Sequence, residues 1–576
     1  MSNYNKFPET VLQGLDAHAF AGYDAIVSEL KEKFQGKILV VDAYPGVRTE
    51  ELLKNLVQPI DPDLIVFSDE LFVSGETITE RVQPNLTDDR VFGFMSKYRF
   101  SQFVDAKKKA DLLAKIEATQ GLVVVYGVGA SELVEGDLLV YADLSRWEIQ
   151  QRYRSKEIGN WKVENYDEDV LKKYKRGFFF EWRMADYHKK NLYGQVDYYL
   201  DTNLKEEPKM ITAEAFNQGM EKTVDGPFRV VPFFDPGVWG GQWMKEVCDL
   251  DRSQANYAWC FDCVPEENSL FFRVGDVRFE TPSINLVFME PQKLLGEAVH
   301  ARFGTEFPIR FDFLDTFDGQ NLSLQVHPLT EYIQETFGMH YTQDESYYIL
   351  DAGEDAVVYL GVKEGINPAE MIQDLKLAQK GELIFPDEKY INQFPAKKHD
   401  HFLIPAGTVH CSGKDVMVLE ISATPYIFTF KLWDWSRLGL DGLPRPVHLE
   451  HGQKVIQFDR DTKWVSKNLV SPVEIISDQD GVLEEKTGLH EREFIETRRF
   501  TSESVMMLET KGSVNVLNLV DGKEAIVESP DAAFDPFVVH YAETFIVPEH
   551  VKTYTIRPYG ESAGQAVKVV QAYVRN

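Results

Sequence analysis

The chain has 576 residues, 44% of them hydrophobic and 27% charged, with a formal net charge of −31. This is the composition of a soluble globular protein long enough for several cores. The acidic surplus excludes a broad nucleic-acid or anionic-membrane surface, which needs clustered Lys and Arg, but not a small basic pocket for a phosphorylated metabolite.

Four cysteines make no disulfide framework. The N-terminal MSNYNKFPETVLQG lacks the basic-then-apolar pattern of a signal peptide, and no apolar run reaches membrane-spanning length. The expected location is the cytoplasm, with neither nucleic acid nor membrane as a partner.

From the N-terminus, residues 1–36 read as helical, with apolar spacing through Tyr23, Ile26, Val27, Leu30 and Phe34. Lys37–Asp42 (KILVVD) is a continuous apolar run suited to a buried parallel strand. A turn at Ala43–Gly46 leads into a helix over Thr49–Val57. Strands are expected again at Leu64–Asp69, Gly121–Tyr126 and Leu138–Leu144, followed by the helical SRWEIQQRYRSKE. This alternation predicts an open α/β sheet.

The order resembles P-loop kinases of the uridine or nucleoside-monophosphate type. The key loop departs from them. Val41 and Val47 stand where G-x-x-x-x-G-K-[ST] needs its first glycine and its lysine, Thr49 falls one place late, and Tyr126 ends a strand that carries an acid in such kinases. The expectation is a degenerate kinase-like α/β domain over 1–207 without phosphoryl transfer. Lys205–Lys209 (KEEPK) is polar and proline-marked and is expected to be a linker.

The remainder is strand-rich, with runs at Phe228–Phe234 and Leu270–Val274. Cys260 and Cys263 form a C-x-x-C with no second copy. Flanking Trp259 and Phe261 point to a buried strand rather than a redox pair or half a zinc site. In Asn321–Leu350, Ser323, Gln325 and His327 alternate with Leu322, Leu324 and Val326, so one strand face carries a hydroxyl, an amide and an imidazole. Pro328 ends that strand. Glu345 then shares a face with Tyr347 and Ile349, and Phe402–His410 (FLIPAGTVH) supplies a strand, a Pro/Gly turn and another histidine. Each piece alone is an ordinary polar face or a surface turn. Together Gln, two His and Glu form a divalent-metal ligand set, and two imidazoles with one carboxylate suit zinc.

Between these pieces, Asn367 before Pro368 is an N-cap with proline at N1, opening a helix to about Gln379. A weak internal repeat pairs Asp400–Pro405 (DHFLIP) with Glu543–Pro548 (ETFIVP), as two jelly-roll halves would. His410 lies five residues after Pro405. Thr553 takes that place after Pro548, so the second half lacks a ligand, and His540 and His550 read as surface or packed histidines.

S-x-Q-V-H-P, a glutamate opening an aromatic-rich strand, and I-P-A-G-T-V-H resemble the type I mannose-6-phosphate isomerases, which are zinc-dependent cupins. Val238–Gly241 (VWGG), Arg302–Pro308 (RFGTEFP) and the strand before Lys431–Asp434 (KLWD) extend the resemblance from about Val230 to the C-terminus. It implies a multidomain chain. The N-terminal α/β domain is followed by a mainly-β double cupin, with a metal-binding cupin at 208–455, a helical insert at about 363–398, and a ligand-free C-terminal half at 456–576. It implies one Zn²⁺ per chain on Gln325, His327, Glu345 and His410. Glu420, in VMVLEI, is the implied base, and Ser323 is the implied substrate contact.

Two positions depart from the family. Asp312 replaces the lysine of F-P-x-x-x-K, with Arg310 one pleat away as a compensating substrate contact. Lys431 replaces the arginine before the aromatic-Asp run, where it is the catalytic cation. The implied function is interconversion of mannose 6-phosphate and fructose 6-phosphate, with a phosphorylated hexose as partner. The rival readings are a non-catalytic sugar-phosphate sensor that keeps its metal and another metal-dependent cupin enzyme.

Overall fold

The computed structural model describes residues 2–423, 427–439, 442, 445–491 and 493–575. It divides into two compact units: Glu9–Thr223 with Glu266–Glu290, and Met1–Pro8 with Val224–Pro265 and Pro291–Asn576. No helix among the described residues is long and apolar enough to cross a membrane.

The first unit is built on a seven-stranded sheet. Its strands are β1 (Ala19–Ala21), β2 (Ile38–Ala43), β3 (Leu64–Phe67), β4 (Val123–Val128), β5 (Leu138–Asp143), β6 (Tyr198–Asp201) and β7 (Lys209–Thr212). They lie in the order β1-β7-β6-β5-β2-β4-β3. The strands β2 to β6 run parallel, while β7 is antiparallel to β6 and β1 to β7. β4, β5 and β6 are buried along their whole length, which explains their near-continuous apolar runs. Helices supply the covering stripes at i, i+4 spacing: Ile26 and Leu30, Ile78 and Val82, Leu112 and Ile116.

Two expectations differ here. Within residues 1–36, only Tyr23–Lys33 is an α-helix, because the short runs Thr10–Leu12 and Ala19–Ala21 pair as strands. Residues 205–209 are a connection inside one sheet, since Lys209 opens β7 and pairs with Asp201, and the compact unit runs on to Thr223.

In the second unit, the metal-site half is two sheets. The strands, continuing the numbering, are β8 (Phe233–Asp235), β9 (Trp259–Cys263), β10 (Ile309–Asp315), β11 (Leu324–Val326), β12 (Glu345–Ala352), β13 (Val357–Val362), β14 (Ile391–Pro395), β15 (His401–Ile404), β16 (His410–Ser412), β17 (Val416–Ala423) and β18 (Phe430–Trp433). One sheet has the order β15-β12-β17-β10-β9-β8 and the other β14-β13-β16-β11-β18.

Cys260 and Cys263 are buried in β9, as are Cys248 and Cys411 in their places, and all four are free thiols. Asn367 caps the helix Pro368–Gln379 by accepting from the amides of Ala369 and Glu370, and a short helix Asp387–Tyr390 follows. The C-terminal half is a six- and a four-stranded sheet. They close on a dry core that includes Phe500, Leu517, Phe545, Tyr554 and Val569.

Candidate metal centre

The ligand types meet where the two sheets face each other. Gln325 in β11 is the cross-strand partner of His410 at the start of β16, and His327 follows β11 directly. Glu345 opens β12 on the other sheet. The ligand atoms of His327, Glu345 and His410 all lie within 4.8 Å of one another, and all three residues are buried. Glu345 Oε2 is 3.1 Å from His327 Nε2, Glu345 Oε1 is 2.7 Å from His410 Nε2, and the Gln325 amide is 3.2 Å from His410 Nε2.

The outer nitrogens are anchored on backbone carbonyls. Nδ1 of His327 donates to the Phe428 carbonyl at 3.2 Å, and Nδ1 of His410 to the Thr408 carbonyl at 2.9 Å. Each ring turns its Nε2 to the centre. His327 Nε2 and Glu345 Oε1 are buried without a hydrogen-bond partner. Two imidazole nitrogens and a carboxylate converge closely enough for one cation to be shared by all three. The donor set therefore fits a divalent metal with N/O preference. Burial works to raise the pKa of Glu345, but His327 and His410 outweigh it and hold it well below the usual carboxylate range.

Around this cluster lie the other candidate residues. Glu420, in β17, sits across from Tyr347 and Asp312, and its Oε1 accepts from Arg310 Nη2 (2.5 Å), Ser422 Oγ (2.9 Å) and Gln343 Nε2 (3.3 Å). Burial, then the charges of Glu345 and Asp312, push its pKa well above the ordinary value against the pull of Arg310. Arg310 also lies 2.7 Å from Asp312. Burial raises Asp312 to about 7. The guanidinium thus pairs with two buried carboxylates.

Lys431, in β18, is the cross-strand partner of Gln325, so the two side chains share a face. Its pKa falls to about 7, from burial and then from Arg445. Ser323 Oγ donates to Asp434 Oδ1 at 2.6 Å and accepts from Arg445 Nη1 at 3.3 Å, while Arg437 Nη2 donates to Asp434 Oδ1. Lys431, Arg437 and Arg445 thus form a basic cluster, with Asp434 paired to both arginines.

The sequence reading missed three contributors. Gln343 lies two residues before Glu345, the strand period, and donates to both Glu345 Oε2 and Glu420 Oε1. That spacing was a usable signal. Arg437 and Arg445 follow β18 in non-periodic chain and gave none. His540 and His550 lie outside the cluster, and Thr553 is exposed.

Residues 22–225 match the family model described as a domain of unknown function (DUF8485). Mannose-6-phosphate isomerase ManA of Bacillus subtilis (strain 168) is 25% identical over 233 residues, which is 40% of this chain and 68% of that protein. The mannose-6-phosphate isomerase of Streptococcus mutans is 25% identical over 225 residues, 39% of this chain and 65% of that one. GmuF of B. subtilis, a probable mannose-6-phosphate isomerase, is 29% identical over 232 residues, 40% and 68% of the two chains. The B. subtilis mannose 6-phosphate isomerase structure superposes with a TM-score of 0.49 at 17% identity, covering 61% of this chain and all of that one. A zinc-bound mannose 6-phosphate isomerase superposes with a TM-score of 0.46 at 13% identity, again over 61% and 100%. About 40% of the chain is homologous to the mannose-6-phosphate isomerases.

Proposed function

We propose that the second unit is a zinc-dependent aldose–ketose isomerase that interconverts mannose 6-phosphate and fructose 6-phosphate. One observation carries the reading: the ligand atoms of His327, Glu345 and His410 converge within 4.8 Å of one another, and Lys431, of the basic cluster, pairs across strands with Gln325 beside them. The homology to mannose-6-phosphate isomerases supports it.

Gln325, His327, Glu345 and His410 would hold one zinc, with the Gln325 amide oxygen turned inward. Zinc, when bound there, supplies Lewis-acid polarisation of sugar oxygens. Glu420 carries a proton between neighbouring sugar carbons, and its raised pKa suits a group that must both take and return one. Arg310 is a positioning residue, fixing the Glu420 carboxylate through the 2.5 Å pair. Lys431 offsets the negative charge that develops on the sugar oxygens. Ser323, with Arg445 behind it, contacts the substrate. The first unit is a kinase-shaped domain without phosphoryl transfer. Its loop after β2 turns the Gly46 carbonyl to Arg152 Nη1 at 2.7 Å, in place of amides turned to a phosphate.

The Arg310–Glu420 pair is also what a non-catalytic sugar-phosphate sensor would tolerate, so turnover decides between the two. A coupled isomerase assay on zinc-replete protein should show mannose 6-phosphate converted to fructose 6-phosphate. Elemental analysis should give about one zinc per chain, lost in His410→Ala while the far-ultraviolet dichroism stays. Full zinc without turnover of any hexose 6-phosphate would select the sensor. Full occupancy in His410→Ala would remove the ligand assignment.

A further inference from the structure

In the first unit the chain passes from β2 out to β3 at the sheet edge, returns through β4, and crosses to β5 on the other side of β2. That reversal is a topological switch point, where open α/β sheets take ligands at the carboxyl ends of their strands. A cavity of about 750 Å³ opens there, within the size range of small-molecule sites. The loop after β2 lines it, as do Phe67 at the end of β3 and Asp69 beyond it, Val128 at the end of β4, and the segment 157–164.

Its charge is wrong for a phosphate. Four cationic side chains line it against six carboxylates. Of the inner cations, Arg48 is held by Glu157 (Nε–Oε1 2.5 Å) and by Glu148, and Lys162 Nζ donates to the Asp69 carbonyl at 2.5 Å. Lys54 and Lys205 stand exposed at the rim among Glu50, Glu164 and Glu206.

One acceptor in the wall stands without a donor. Glu51 Oε1 accepts from the Tyr23 hydroxyl (2.7 Å) and the Glu206 amide (2.9 Å), but Glu51 Oε2 is buried with no partner. Asp69 is a second carboxylate on the wall, raised by burial despite Lys162. Phe67, stacked on Tyr126 at 5.0 Å, and Tyr166 add aromatic faces, which attract organic cations.

We propose that this cavity is a binding site for a small protonated amine, its N–H donors on Glu51 and Asp69 and its body against Phe67. Free amino sugars and polyamines share that chemistry. Titration calorimetry of the full chain with glucosamine and with spermidine tells the two sources apart, with mannose as the neutral and ATP as the anionic control.

One of the two amines should bind with a stoichiometry near one. Glu51→Gln keeps an oxygen for Tyr23 and Glu206 but places an amide N–H₂ where the unpartnered oxygen stands, and should weaken binding about tenfold or more. Asp69→Asn should weaken it in the same direction and serves if Glu51→Gln fails to fold. His410→Ala, which empties the metal centre of the other unit, should leave the affinity unchanged. The proposal is overturned by binding of neither amine, by ATP binding more tightly than both, or by loss of binding in His410→Ala. Equal affinity in folded Glu51→Gln also overturns it, because that marks diffuse attraction to a chain of net charge −31.

Discussion

Lys431 and Gln325 are paired across two strands, so a lysine and the proposed amide ligand stand side by side on one face. A lysine brings point charge where the resembled family has a planar fork. Lys431→Met should therefore lower kcat/KM by about a hundredfold or more, the scale of losing an oxyanion-type donor. Lys431→Arg should keep substantial activity, and zinc content should be unchanged in both. Near-normal kinetics in Lys431→Met would reduce Lys431 to a partner of Asp434 with little effect. Arg310 teaches a different lesson at this scale. From sequence, it shares a strand face with Asp312 and looks free to reach substrate. Its commitment depends on β10 lying in register with β17, Asp312 opposite Glu420 and Arg310 opposite Ser422, and no local pattern encodes that register.

At the scale of elements, the ligand strands were legible because period-two alternation puts Ser323, Gln325 and His327 on one face whatever the neighbours do. The helix Pro368–Gln379 was legible from its Asn-Pro start, since the cap is a local hydrogen-bond device. Asn367→Ala removes the acceptor of two amides. It should cost about 1 kcal/mol of helix stability, seen as faster amide exchange in the first turn without loss of zinc. Unchanged exchange at Ala369 and Glu370 would show that the surrounding fold, not the cap, holds the turn. The connection 205–209 was misread because Pro208 marks a turn inside a sheet as readily as a linker. β7 is only four residues long, too short for its pairing to declare itself. The short strands before Tyr23 were hidden for the same reason.

For the molecule as a whole, each unit carries its own ionisable lock. In the first, Asp42 near the end of β2 accepts from the amides of Gly129 and Ser131 and lies 2.8 Å from His188 Nε2, with Glu132 at 3.4 Å from Nδ1. Burial opposes the charge on His188, but the two carboxylates prevail and raise its pKa to about 10 from an ordinary 6.5. A raised folded value stabilises fully below 6.5, and that contribution drains away as pH climbs toward 10. Asp42, held below its ordinary 3.8 chiefly by His188 against burial, loses its share only in acid. The melting-temperature gap between wild type and His188→Gln should therefore be widest between about pH 4 and 6.5 and close steadily toward pH 10. A gap that widens with alkali would mean the imidazole is buried neutral.

In the second unit the lock is the ligand set itself. Gln325 and His410 belong to one sheet and Glu345 to the other, so an ion held by all of them rivets the two layers together. Binding that only the closed layers can offer is also folding free energy, about 2.7 kcal/mol once free zinc exceeds its dissociation constant a hundredfold. The same protein should then melt at different temperatures in zinc-poor and zinc-rich buffer. Shortage of the ion would thus be felt twice, as an empty site and as a folded protein that opens at a lower temperature.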